Sequence, residues 1–235
     1  MLKKYSKIKV YGDGFDLKKI KLKKFKNLDG YTFNPSLFRK MEVKEYLKFC
    51  KKLVSTIKNK PISLEVIADS EFEMIRQAKI LGQLSKNVYI KIPIVYTNGK
   101  STYNVIKHLL ELDYKLNITA IFSYNQVKNL SKIINNHTIL SIFAGRLYDI
   151  GVDAEKEILK IKNLFKDNKI KPKFLWASPR MSYDIIKAQR SGCHIITMTS
   201  DLIEKLILHN KSKDEYSRET VKMFYNDAKL SKYNF

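Results

Sequence analysis

Apolar residues in this chain follow two rhythms that alternate almost from end to end. In the first, short runs rich in Val, Ile, Thr, Tyr or Phe are bounded by Gly, Pro, Asn, Asp or Ser, which predicts strands. Eight runs fit: 7–13 (KIKVYGD), 30–35 (GYTFNP), 62–69 (ISLEVIAD), 88–95 (VYIKIPIV), 115–122 (KLNITAIF), 138–145 (TILSIFAG), 173–178 (KFLWAS) and 193–199 (CHIITMT). In the second rhythm, apolar positions recur at steps of three or four, the period of a helix with one buried face. Over 43–58 these are Val43, Tyr46, Leu47, Cys50, Leu53 and Ile57, and over 153–167 they are Ile158, Ile161 and Leu164. Glu71 and Glu73 open a further helix near 70–84, where negative charge suits the helix dipole. The tail 214–229 (DEYSRETVKMFYNDAK) predicts one more helix, packed on the body of the protein or on a neighbouring subunit.

Eight strands, each followed by a helix, call for a parallel sheet with crossover helices. Eight such units in about 200 residues predict an α/β fold of the (β/α)8 TIM barrel type, on the compact side for that architecture. A doubly wound open sheet is the alternative, but YGDGFD after the first strand does not fit a G-x-G-x-x-G turn. No composition shift or linker divides the chain. The expected organisation is a single barrel domain over 1–235, with 210–235 as a C-terminal helical extension.

The 235 residues are 44% hydrophobic and 11% aromatic, which excludes a disordered chain. No apolar run approaches the roughly 18 residues that cross a bilayer. The first residues, MLKKYSK, do not resemble a signal peptide. Two cysteines far apart, Cys50 and Cys193, suggest free thiols in a reducing, cytoplasmic setting. The formal net charge is +22, carried almost wholly by lysine, since only Arg39, Arg76, Arg146, Arg180, Arg190 and Arg218 are arginine. A surface that reads nucleic acid favours arginine forks. Lysine spread along outer helix faces, densest at Lys18, Lys19, Lys21, Lys23, Lys24 and Lys26, mainly sets solubility and non-specific attraction. RNA or another anionic partner stays as the alternative use of that surface.

A barrel gathers its chemistry at the C-terminal ends of its strands. The polar residues there are Asp13, Thr32, Asn34, Glu65, Lys91, Asn117, Thr119, Ser141, Arg146, Ser178 and Arg180. Lys91 is the most informative, because it interrupts the apolar run VYIKIPIV. Strand residues alternate faces, so it projects opposite to Ile90 and Ile92. Taking an ammonium out of water favours its neutral form, and a neutral amine can attack a carbonyl. A lysine paired to a carboxylate at a strand end is the plainer alternative. Asp13 and Glu65 are candidate proton carriers or cap residues. Asn34, Asn117, Thr119 and Ser141 offer neutral hydrogen bonds to sugar hydroxyls, or cap loops. Arg146 and Arg180 follow successive strands and, with Ser178, suit a phosphate clamp. His108, His137, His194 and His209 lack metal-ligand spacing. Cys193, His194 and Trp176 read as barrel packing.

Taken together, GYTFNPSL at 30–37, ISLEVIAD at 62–69, VYIKIP at 88–93, LNITAIFS at 116–123, SIFAGRLYDIG at 141–151, WASPR at 176–180 and GCHIITMT at 192–199 resemble the transaldolase family, which includes fructose-6-phosphate aldolase. The segment KIPIVYTNGKST is similar to that of a compact bacterial subgroup. The resemblance implies that Lys91 forms a Schiff base, that Asp13 handles the donor hydroxyl proton, and that Glu65 moves protons through a water that Thr119 helps hold. It implies that Thr32, Asn34 and Asn117 touch the donor, and that Ser141, Arg146, Ser178 and Arg180 contact sugar and phosphate. Phe33, Ile142 and Gly12 depart from the family pattern, and Phe33 is expected to face away from the site. Glu65 and Phe143 match the transferring branch, where the splitting branch tends to carry Gln and Tyr.

The expected function is transfer of a dihydroxyacetone unit between sugar phosphates, as in the pentose phosphate pathway. No metal and no other cofactor is expected, because a protonated imine is itself the electron sink. Expected partners are sugar phosphates and another copy of the chain, met through the C-terminal helix, with neither a membrane nor nucleic acid. The alternatives are an aldolase that releases free dihydroxyacetone, or a non-catalytic barrel that binds anions.

Overall fold

The computed structural model describes residues 2–166 and 169–233. Eight parallel strands close into a barrel in sequence order. They are β1 (Lys9–Asp13), β2 (Gly30–Thr32), β3 (Ile62–Glu65), β4 (Val88–Pro93), β5 (Leu116–Ile121), β6 (Ile139–Ile142), β7 (Lys173–Trp176) and β8 (Ile195–Met198). Every expected strand is present, shortened at its ends. The trimmed residues at the C-terminal ends enter loops and helix caps at the mouth; Asn34, for example, leaves β2 to cap the helix Pro35–Lys40. At least one helix follows each strand, as parallel connections require.

The outer core lies between the sheet and the helices. Val10, Leu64, Ile90, Ile92, Ile118, Leu140, Ile142, Trp176, Ile196 and Met198 point outward from the strands into it, all at most 1% exposed. Each large apolar side chain buried this way contributes about 1.5–3 kcal/mol. The helix Tyr46–Ile57 meets this layer with Cys50, Leu53 and Ile57. Leu47 lies one residue off that stripe, about 100° round the helix, and is exposed. The helix Glu71–Gly82 has Glu71 and Glu73 in its first turn, as expected. The helix Ala154–Asn163 buries Ile158 and Ile161 and is capped by Asp153, whose side chain accepts from Lys156 N. Phe33 is fully buried against Phe38, on the helix side of the sheet and away from the barrel interior. Trp176 and Cys193 are core residues. His194 departs from expectation, because it is exposed and its Nδ1 accepts from Phe174 N at 3.0 Å. It borders the N-terminal end of the strands, with its ring stacked on Phe174.

The C-terminal helix, Lys213–Ser231, buries none of its residues. Tyr216, Val221, Met223, Phe224, Tyr225 and Leu230 are all more than half exposed. Of the two expected packings, the one on its own barrel is not seen. Among the described residues, no helix is long and apolar enough to cross a membrane.

One close approach fixes the mouth of the barrel. The helix Ala144–Asp149 after β6 and the loop after β7 touch at Gly145, whose N–H donates to Ala177 O at 3.4 Å. A Cβ there would lie 1.7 Å from the carbonyl oxygen of Ser178. Ser178 is itself in the left-handed region at φ 58°, a conformation that costs a non-glycine residue about 1–3 kcal/mol. Backbone on both sides cannot step aside cheaply. Gly145→Ala should therefore destabilise the fold by about 2 kcal/mol or more, read as a lowered urea midpoint.

Candidate active site

Because strand residues alternate, only every second side chain enters the barrel. Near its N-terminal end the interior is apolar: Tyr11, Tyr89, Ile139, Leu175 and Ile195 belong to a second, separate cluster that also takes in Ala177 just beyond β7. This cluster is a floor. Two residues further along the same strands the character changes to Asp13, Lys91, Ser141 and Thr197, joined by Thr32, Glu65, Asn117 and Thr119. On four strands the sequence achieves this by placing one polar residue after one apolar residue on the inward face: Tyr11 then Asp13, Tyr89 then Lys91, Ile139 then Ser141, Ile195 then Thr197.

Lys91 is 5% exposed. Its register partners are Glu65 on β3 and Asn117 on β5. Nζ lies 2.8 Å from Glu65 Oε2 and donates to the Phe33 carbonyl at 3.1 Å. Its third proton position faces a cavity of about 80 Å³. The carboxylate pairing is thus present, and the same amine also borders a cavity. The Glu65 backbone carbonyl accepts from the Tyr46 hydroxyl, which ties the end of β3 to the helix Tyr46–Ile57.

Asp13 accepts at Oδ1 from Thr32 Oγ1 at 2.6 Å. Burial pushes its carboxyl above the usual carboxylate range, against the opposing pull of Lys91 and the Thr32 hydrogen bond. Thr32 also meets the hydroxyl of Thr197. On the far wall, Ser141 Oγ donates to Asn117 Oδ1 at 2.6 Å, and Asn117 Nδ2 donates to Ser63 Oγ at 3.0 Å. Thr119 Oγ1 is buried with no partner among the described residues, an arrangement that costs about 1–3 kcal/mol unless another molecule meets it. Beside it, Ala120 adopts φ 56° where the β5–β6 register shifts. Asn34 accepts from Leu37 N with Oδ1, so its NH₂ group remains to face the cavity.

The cavity is lined by Asp13, Thr32, Asn34, Lys91, Asn117, Thr119, Ser141, Phe143, Arg146 and Ser178 among the expected residues. Glu65 adjoins it through Lys91. At the rim, the Arg146 guanidinium stands 5.5 Å from the Phe143 ring centre, and Phe143 packs against Phe122. Arg180 does not line the cavity. It is exposed, with Nε and Nη2 on the carboxylate of Asp149. That contact holds Asp149 below the ordinary carboxylate range. A larger groove of about 560 Å³, bordered by Ile94, Tyr103, Gln126 and Leu130, holds no carboxylate and lies outside the barrel interior.

The sequence reading missed Thr197, Leu175, Ala177, Ser63 and Asp149. Alternation would have found the first four. Thr197 is two residues after Ile195, Ser63 is two before Glu65, and Leu175 and Ala177 share the inward face of β7. Asp149 had no such signal, because it reaches Arg180 from a helix after a different strand. Among the described residues, no group of three or more His, Cys, Asp or Glu side chains could hold a metal ion.

The barrel is similar to a structure described as native KDPGal, with a TM-score of 0.54 at 11% identity over 83% of each chain, which is a likeness of fold alone. Sequence relatives are nearer. A probable transaldolase of Methanococcus vannielii is 35% identical over 193 residues, 81% of this chain and 86% of the relative. One of a Thermoanaerobacter species is 33% identical over 182 residues, 77% of this chain and 81% of the relative. The profile described as Transaldolase/Fructose-6-phosphate aldolase matches residues 10–234. That span takes in all of the barrel strands but Lys9, the first residue of β1, and every residue around Lys91, and the chain belongs to the transaldolase/fructose-6-phosphate aldolase family.

Proposed function

We propose that this protein transfers a dihydroxyacetone unit between sugar phosphates through a Schiff base on Lys91. The observation that carries the reading is a buried amine with a carboxylate at 2.8 Å on one side and a polar cavity on the other. Glu65 accepts a proton from the ammonium, and the neutral amine adds to the ketose carbonyl. The carbinolamine then loses water, with Glu65 returning the proton and the unpartnered Thr119 hydroxyl suited to hold that water. Asp13 takes the proton of the C4 hydroxyl, the C3–C4 bond breaks, and an aldose phosphate leaves. The electrons of that bond pass into the iminium to give an enamine. The enamine adds to the carbonyl of a second aldose phosphate, Asp13 gives back its proton, and hydrolysis frees Lys91. Phe143, which has no hydroxyl to help water or a free acceptor into the cycle, supports transfer over release.

The enclosed cavity is small, about 80 Å³, so it takes the reacting carbons while the phosphate lies at the rim with Arg146, Ser178 and Arg180. Cys50 and Cys193 are free and buried, which fits a reducing cytoplasmic setting. The C-terminal helix supports self-association. Most helical stability in proteins comes from packing of an apolar face, and its exposed Tyr216, Phe224 and Tyr225 lack a cover from its own barrel.

Three outcomes test this reading. Borohydride with a ketose phosphate should add the reduced sugar mass to the wild type and none to Lys91→Ala; an unlabelled wild type removes the Schiff base. Arg180→Ala should raise KM for phosphorylated substrates about tenfold or more with little change in kcat, as loss of a charge-assisted hydrogen bond implies; an unchanged KM takes Arg180 out of the phosphate site. Phe224→Glu should lower the mass measured by light scattering below that of the wild-type assembly, and a monomeric wild type refutes self-association.

A further inference from the structure

Thr32 sits on β2 and Thr197 on β8, the two strands that flank β1. These strands are not neighbours, yet their side-chain hydroxyls meet inside the barrel, across the strand that carries Asp13. Both threonines are almost fully buried, at 2% and 4% exposure, and both border the cavity. Resting on the Schiff-base reading above, the geometry points to Thr197 as a positioning residue that commits the single hydroxyl proton of Thr32 to Asp13 and so fixes the carboxylate that takes the substrate proton.

The direction of the chain follows from counting hydrogens. Thr32 has one hydroxyl hydrogen, and it is donated to Asp13 Oδ1 at 2.6 Å. In the contact between the threonines, Thr32 can therefore only accept, and Thr197 donates. Without Thr197, the Thr32 hydroxyl is left with an unmet lone pair in a buried place and is free to turn toward the cavity or toward Asn34. With it, the order Thr197 to Thr32 to Asp13 is fixed, and each bond polarises the next. Valine at position 197 would fill about the same volume as threonine. A hydroxyl is therefore not needed for packing, and it brings a desolvation cost that, among the described residues, the Thr32 contact offsets.

The charged groups facing Asp13 are Lys91 from β4 and Glu65 from β3, while β2 and β8 present only the two hydroxyls. Burial and Glu65 favour the protonated acid; Lys91 and Thr32 favour the carboxylate. Weakening the Thr32 bond thus shifts Asp13 toward its protonated form. A protonated Asp13 cannot act as the base, so the acid limb of the pH–rate profile moves to higher pH.

The test compares kcat against pH for the wild type, Thr197→Val and Thr197→Ser, after each is shown to be trapped on Lys91 by borohydride. In Thr197→Val the acid limb should move up by about half a pH unit or more, with kcat at neutral pH reduced about three- to tenfold and KM within about twofold. Thr197→Ser, which keeps the hydroxyl, should restore the wild-type limb. If Thr197→Val does not fold, Thr197→Ala is read in its place with the same expectation. An unmoved acid limb in the valine or alanine variant overturns the inference, as does a serine variant no better than valine, which would make the role one of packing. A wild type that borohydride does not trap refutes the parent reading instead, so the two failures are separate.

Discussion

The contact between Lys91 and Glu65 is the constraint around which the barrel interior is arranged. An ammonium and a carboxylate, 6% and 14% exposed as side chains, are costly to bring out of water. Removing either partner from such a pair costs about 3–5 kcal/mol, because the other is left buried and unmatched. Sequences that bury charge this way rarely gain stability from it compared with an apolar pair of the same volume. What the arrangement does supply is a buried nitrogen held in one place. The Phe33 carbonyl takes a second proton position, so rotation about the end of the side chain is restricted and the remaining direction is toward the cavity.

The rest of the interior keeps that nitrogen company without neutralising it. Asn117, Ser63 and Ser141 satisfy one another along one wall. Thr32 and Thr197 do the same along the opposite wall and extend their bonding to Asp13. Each wall is therefore rigid by its own hydrogen bonds. The atoms left over, Thr119 Oγ1 and the NH₂ group of Asn34, are those that a bound molecule can meet. At the rim the arrangement is looser. Arg146 leans on Phe143, and Arg180 rests on Asp149 by one edge of its guanidinium, with no bond from Nη1 among the described residues.

Most of this was legible in the sequence, and for a simple reason. A parallel strand buried on both faces should be apolar throughout, so a lysine in VYIKIPIV, an aspartate at the end of KVYGD and a glutamate in ISLEVI each broke a rule visibly. The eight-fold succession of strand and helix was equally plain. What escaped were residues that break no rule. Thr197 in HIITMT is an ordinary strand residue by type, marked only by the alternation that puts it on the inward face with Ile195. Ser63 looks like a small filler, and Asp149 like a surface charge. The C-terminal helix could be predicted from 214–229, but not where it goes, because its apolar residues Tyr216, Met223 and Leu230 lie on one side and Val221, Phe224 and Tyr225 on another. No single stripe points to the barrel.

The apolar floor has a kinetic consequence. Tyr11, Tyr89, Ile139, Leu175 and Ile195 plug the lower end of the barrel, which makes it a blind tube with one opening. For the proposed transfer, the first aldose must back out before the second can enter by the same route. The order of events is then set by plumbing: double-displacement kinetics, with parallel lines in a double-reciprocal plot, and no ternary complex of enzyme with both aldoses.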